Sequence, residues 1–174
     1  MTTLTTDRLI LRPLADGDAD AIVRGLNNFN VSRWLARVPY PYGSADAAWF
    51  LADTREAGAS VARFAITRDG VLAGIIGIEA GEIGYWLAEA HWGRGYGREA
   101  AWAAAEHAFQ GMGLEGLTAG YFIGNEGSRR ILEGLGFTET ERNRKFSRAR
   151  NAEVPHVSLM LTRSDWTEKK RERR

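Results

Sequence analysis

Residues Gly93-Arg94-Gly95-Tyr96-Gly97-Arg98 follow an apolar, strand-like run and open an alanine-rich segment. A strand, a glycine-rich turn and a helix in that order place free backbone N–H groups at the positive end of a helix dipole. Glycines let a ligand come close to the main chain at such a turn. Arg94 and Arg98 add charge suited to phosphate oxygens. The pattern predicts a strand–helix unit at the centre of the fold and a phosphorylated cofactor bound at its turn.

The 174 residues, 44% of them apolar, predict one domain with room for a real core. We place that domain at 1–166 and expect a charged, frayed tail over 167–174. A net charge of +1 creates no global field that favours nucleic acid or an anionic membrane. The absence of cysteine excludes a disulfide framework, a thiolate nucleophile and a cysteine zinc site. His91, His107 and His156 lack metal-ligand spacing, so no metal is expected and each reads as structural or surface. No run reaches the roughly 18 apolar residues of a membrane span, and the first residues lack a signal-peptide core. A cytoplasmic protein is expected.

Periodicity and turn residues give the order of elements. Arg8 to Arg12 reads as a first strand closed by Pro13. Asp16, Asp18 and Asp20 crowd the start of a helix that runs to about Leu26. A second helix begins at Ser44 as N-cap and ends at Gly58. Strands over Val61–Thr67 and Val71–Ile78 flank the hairpin turn Asp69-Gly70, and Ala80-Gly81 turns into the strand Glu82–Leu87. A long helix from about Gly95 to Gln110 follows, then the strand Leu117–Ile123. A short helix from about Glu126 to Leu135 stops at Gly136, and Phe137 and Val154–Leu161 begin or form the last strands. The mixture predicts an α+β fold.

Two common phosphate sites do not fit. A P-loop ends in Gly-Lys-Ser/Thr, whereas Arg98-Glu99 follows Gly97. A dinucleotide fold carries its glycines after the first strand and an acid at the end of the next; here the turn follows the fourth strand and the next ends in Ile-Gly-Asn.

Taken in order, several segments resemble the GNAT superfamily of acyl-CoA-dependent N-acyltransferases. They are Thr6-Asp7-Arg8-Leu9-Ile10-Leu11-Arg12-Pro13, Glu82-Ile83-Gly84-Tyr85-Trp86-Leu87 and Trp92-Gly93-Arg94-Gly95-Tyr96-Gly97-Arg98-Glu99-Ala100. Asn125-Glu126-Gly127-Ser128, Leu135-Gly136-Phe137 and Ser164-Asp165-Trp166 complete the set. The likeness is strongest to the branch that acetylates ribosomal-protein N-termini. Trp92 stands where the superfamily motif usually opens with Gln or Arg.

The resemblance implies a mixed, mostly antiparallel central sheet flanked by helices, with two central parallel strands that splay around coenzyme A. It implies that Gly93, Arg94, Gly95, Tyr96, Gly97 and Arg98 hold the pyrophosphate. Trp86, Leu87 and Ala88 would pair with pantetheine, Asn125 would bond the same arm, and Arg130 or Arg129 would reach the 3′-phosphate. Acetyl-CoA is the implied donor and a primary amine the acceptor, joined by direct attack in a ternary complex. Glu82 is the candidate base, with burial and the nearby Glu79 expected to raise its pKa. Ser128 is the candidate acid at the departing sulfur, or else a helix-capping partner of Asn125. Trp34, Tyr40 and Tyr85 are the expected acceptor-lining residues, with Tyr42 beside them. A loop anchor or homodimer contact is the other reading of Trp34, Tyr40 and Tyr42. The basic segment Arg142 to Arg150 reads as a solvated hairpin loop, or as a surface for an acidic acceptor or ribosomal RNA.

The first-choice acceptor is a protein N-terminal α-amine. The alternatives are a small-molecule amine (a polyamine, amino acid or antibiotic), a non-catalytic acyl-CoA-binding module, and a ribosome-associated binding protein.

Overall fold

The apolar, β-branched stretches around Phe64-Ala65-Ile66 and Ala73 to Ile78 become strands covered on both faces. A computed structural model describes residues 2–173. The strands are β1 (Leu4–Thr5), β2 (Ile10–Pro13), β3 (Val61–Arg68), β4 (Val71–Glu79), β5 (Glu82–Leu87), β6 (Gly116–Phe122), β7 (Thr138–Ser147) and β8 (Ala152–Thr162). They form one 8-stranded sheet in the order β1-β2-β3-β4-β5-β6-β8-β7. The helices are α1 (Ala19–Leu26), α2 (Phe29–Ser32), α3 (Ser44–Glu56), α4 (Tyr96–Glu106), α5 (Glu126–Leu135) and α6 (Arg163–Glu172). This is the expected α+β architecture.

Every neighbouring pair is antiparallel except β5 and β6, whose crossover is α4. Those two strands are matched only at Glu82 and Thr118. Beyond that point they separate, and the gap becomes the floor of a cleft.

Alternation along the strands assigns the two faces. Ile83, Leu117, Ala119, Val157 and Leu159 pack under α4 and α5. Ala100, Ala101, Ala104, Ala105 and Ala108 are fully buried there, and their small side chains let the helix lie close to the sheet. The opposite face packs Ile75 with Ile22, Leu26, Tyr42, Ala47 and Leu51 from the α1–α3 side.

Local differences from the sequence reading have local causes. Gly43, not Ser44, caps α3, because the Asp46 carboxylate accepts the Gly43 N–H at 2.8 Å. The long helix turns π-like over His107–Gly111 after α4 ends. The first strand begins two residues later than expected and gains the short partner β1. The expected frayed tail continues α6 to Glu172, and Arg174 lies outside the described residues. Thr162 caps that helix by accepting the Asp165 N–H at 3.1 Å. Trp166, 4% exposed, packs on Phe109 at 5.2 Å. Lys170 pairs with Glu106 on α4.

One of the three early aspartates has a structural task. Asp18, 5% exposed, takes a two-pronged contact from Arg12 at 2.7 and 2.9 Å and the Ala15 N–H at 2.8 Å. Hydrogen bonding from Arg12 holds its carboxyl below the usual range, although burial opposes this. A depressed carboxylate stabilises the fold above its unfolded pKa, and that stability is lost as pH falls through the folded value. Asp18→Asn is expected to lower unfolding stability by about 2–3 kcal/mol at neutral pH. The deficit relative to the parent shrinks as pH falls from about 4, the unfolded carboxyl's range, through the lower folded value, where the parent carboxyl also protonates. Urea denaturation at pH 7 and pH 3 checks both parts.

Candidate active site

The separation of β5 from β6 opens a cleft of about 1010 Å³. That volume is at the upper end for small-molecule pockets and leaves room for a cofactor arm and an acceptor.

One end is the glycine turn. Gly95 is the N-cap of α4 at φ +79°, and Gly93 is also left-handed at φ +70°. The first N–H groups of α4 have no partner within the helix and face this end. Gly93, Gly95, Tyr96, Gly97 and Arg98 line the cleft. Arg8 fixes the turn from outside: Nη1 donates to the Arg94 carbonyl at 2.9 Å, and Nε donates to Glu99 at 2.7 Å. The Arg8 guanidinium also lies 5.1 Å from the Tyr96 ring centre. Burial would raise the Glu99 carboxyl, but hydrogen bonds from Thr6 and Arg8 outweigh it and hold the group below the usual range.

Along β5 the main chain is partly engaged. The Leu87 carbonyl accepts the Trp92 indole N–H at 2.9 Å, and the Ala88 N–H donates to the Ala73 carbonyl at 2.8 Å. Trp86 and Leu87 line the cleft, whereas Ala88 and Arg94 are not part of its wall. The Ala88 N–H implied for pantetheine therefore belongs to the sheet.

The start of α5 faces β5. Asn125 caps the helix by accepting the Ser128 N–H at 3.2 Å. The Ser128 hydroxyl lies 2.9 Å from that of Tyr85. Burial pushes the Tyr85 phenol far above its ordinary value and keeps it protonated. Tyr85, expected at the acceptor, thus turns toward Ser128, because Ile83, Tyr85 and Leu87 share the face under α4 and α5. Arg129 is tied to Glu126 and Glu133, while Arg130 is exposed and outside the cleft wall.

The other end lies on the α1–α3 face. Trp34 lines it, as do Tyr42, Trp49 and Phe50. Tyr40 is exposed and packs on Phe29 at 5.3 Å, away from the wall. Burial, then the Asp46 charge, pushes the Tyr42 phenol up to about 12. Glu82 is 51% exposed and faces Lys145 at 3.7 Å, so the burial expected of it is not found. Glu79 sits opposite Glu82 in the ladder but turns to Arg63 at 3.1 Å and Arg37 at 3.5 Å. Each of the two acids that the sequence suggested would repel thus faces cations of its own.

The basic segment is not a solvated loop throughout. The Arg148 N–H donates to the Ala36 carbonyl at 3.0 Å, and its Nη1 to the Arg37 carbonyl at 3.2 Å. Arg150 Nε donates to the Arg33 carbonyl at 2.8 Å, and its guanidinium lies 4.7 Å from the Trp34 ring centre. These contacts bridge the β7–β8 turn to the loop after α2. Burial, then the Arg33 charge, lowers the Arg150 pKa. Lys145, Arg148 and His156 also line the cleft; sequence reasoning placed the first two only in a basic segment that could face an acidic acceptor, and read His156 only as structural or surface.

The Acetyltransferase (GNAT) domain family matches residues 8–138. The uncharacterized N-acetyltransferase YoaA of Bacillus subtilis (strain 168) is 33% identical over 146 residues, covering 77% of this chain and 81% of that protein. Among solved structures, RimJ of Mycobacterium smegmatis in complex with CoA-disulfide superposes with a TM-score of 0.82 at 20% identity, covering 99% of this chain and 94% of that one. Spermidine N-acetyltransferase of Vibrio cholerae in complex with CoA and spermine gives 0.81 at 19% identity, covering 93% of this chain and 99% of that one. The splayed strands, the glycine turn at the head of α4 and the family match lead to one assignment: the chain belongs to the GNAT family of acetyl-CoA-dependent N-acetyltransferases.

Proposed function

We propose that the acceptor is the α-amine of a protein N-terminus. The supporting observation is that three of the four acids in the acceptor arm already face cations: Asp53 and Glu79 face Arg63, Glu79 also faces Arg37, and Glu82 faces Lys145, while Asp46 accepts the Gly43 N–H. A polyamine brings further ammonium groups to an arm that also holds Arg148. A peptide terminus brings one ammonium and then carbonyl oxygens, which accept hydrogen bonds from arginine and lysine. The bridge from Arg148 to Ala36 and Arg37 ties the walls of the arm together and keeps arginine beside it, which suits a chain end with its carbonyls.

In this reading the diphosphate of acetyl-CoA rests on the first amides of α4, with Arg98 beside it. The thioester lies where β5 and β6 part, and the amine approaches from the face that carries Glu82. The nitrogen lone pair forms a bond to the thioester carbon, and the C–S bond then breaks. Ser128, paired with Tyr85, stands on the opposite face to give a proton or a hydrogen bond to the sulfur. The ammonium nitrogen gives up two protons in all: one ends on the sulfur and the other leaves toward solvent past Glu82.

The test is thiol release from acetyl-CoA with Ala- and Ser-initiated peptides, spermidine and free amino acids, with products identified by mass spectrometry. The peptides are expected to exceed spermidine in kcat/KM by at least about tenfold, the value of one mismatched charge contact near 1.4 kcal/mol. Faster acetylation of spermidine would replace the peptide reading with the small-molecule one.

A further inference from the structure

His156 is the fifth residue of β8, a strand in which Val157, Leu159 and Leu161 belong to the core under α4. Alternation sends His156 to the other face, the one that carries Glu82, Gly84, Gly120 and Phe122. The ring is 6% exposed and meets Phe122 edge-on, with centroids 5.6 Å apart. Nδ1 lies 3.0 Å from Oδ1 of Asn143. The Asn143 amide nitrogen is 3.3 Å from both the Ser158 hydroxyl and Glu141, which assigns the amide oxygen to the ring. An amide oxygen only accepts, so Nδ1 carries the hydrogen and the lone pair is on Nε2. A Cβ at position 120 would lie 2.3 Å from Nε2, so the glycine there is what lets the ring occupy its place. The ring also lines the cleft.

We propose that His156 Nε2 is the base that takes the first proton from the acceptor ammonium, and that Glu82, at the solvent edge of the same face, carries it onward. This rests on the acetyl-transfer reading above, whichever amine is used. In the step, the N–H bond of the ammonium breaks and its electron pair stays on nitrogen. The proton bonds to Nε2, Nδ1–H stays on Asn143, and the resulting imidazolium passes its proton to solvent past the Glu82 carboxylate. The charged groups facing the ring are Lys145 from β7 and Glu82 from β5; Gly120 and Phe122 from β6 are uncharged. Burial, then Lys145, lowers the imidazole pKa against a smaller opposite pull from Glu82, so the ring is neutral and able to accept at pH 7.

The experiment is the pH dependence of kcat/KM for the parent, His156→Gln and Asn143→Asp. The amine is the Ala-initiated peptide, or spermidine if the parent acetylates only that. The parent's acid limb is expected below pH 6.5. His156→Gln is expected to lose that limb and about 100-fold in kcat, with calorimetric coenzyme A affinity within about twofold. Asn143→Asp places a carboxylate at Nδ1 and is expected to move the limb up by about one pH unit. A role in packing alone would not move it, and this variant decides if His156→Gln fails to fold. A limb unmoved in Asn143→Asp, or full kcat in His156→Gln, overturns the assignment. A parent that acetylates no amine defeats the acetyl-transfer reading instead, and calorimetric coenzyme A binding tells that outcome apart from misfolding.

Discussion

Gly95→Val is expected to weaken coenzyme A binding by about 100-fold in calorimetry. The position has φ +79°, where a branched side chain is strained, and an added Cβ would already lie 3.2 Å from the Arg8 guanidinium. Strain of about 1–3 kcal/mol must be relieved by moving the turn, and the turn is the proposed pyrophosphate seat. At 1.4 kcal/mol per tenfold, the upper end of that range is about 100-fold. Gly97 is a different case, although the sequence suggests the same one. A Cβ there would lie 2.9 Å from Ile131 Cδ1, so Gly97→Val first disturbs the packing of α4 on α5. Gly134→Ala, with nothing within 4 Å of its added Cβ, is the control and is expected to bind as the parent does. Affinity unchanged in Gly95→Val would remove the turn from the donor site.

Ser128→Ala is expected to lower kcat by roughly 100-fold while the KM for acetyl-CoA stays within about twofold. General acid assistance is worth about 10²–10⁴, and the lower end applies because a thiol with a pKa near 8.5 is already a fair leaving group. The substitution leaves the Ser128 N–H on Asn125 Oδ1, so the cap of α5 survives and a folding loss is not expected. Tyr85→Phe removes the other end of the 2.9 Å hydroxyl pair. The double variant should fall less than the product of the singles, because each single already breaks the same contact. Full kcat in Ser128→Ala would mean that the thiolate leaves unaided and that the serine serves the helix alone.

What was legible in the sequence was local. The glycine turn, the Asn125 and Gly136 ends of α5 and the Asp69-Gly70 hairpin each announce themselves within a few residues. Apolar runs gave most of the sheet. What escaped depends on contacts far apart in the chain. Arg8 and Glu99 are 91 positions apart, so a charged residue in an edge segment gave no sign that it holds the turn. Charge at the end of the chain read as fraying, while one buried tryptophan decided otherwise. Tyr85 sits in a strand where one residue's shift reverses the face, and the sequence did not say which face met Ser128. Glu82 was legible as a position but not in its environment, because Lys145 arrives from β7. His156 needed the partner of a partner: β8 beside β6, and a glycine in β6 at the right register.

Tying the β7–β8 turn to the loop after α2 makes the proposed acceptor end of the cleft a property of two segments held under one constraint. A segment transplanted over residues 33–37 with a different backbone course would leave the two guanidiniums of the turn without their seats. A transplant of the turn alone would take away the arginine donors that hold the Arg33 and Arg37 carbonyls. Redesign of this groove for a new amine must move both pieces together, and natural drift in specificity must pass through paired changes at both.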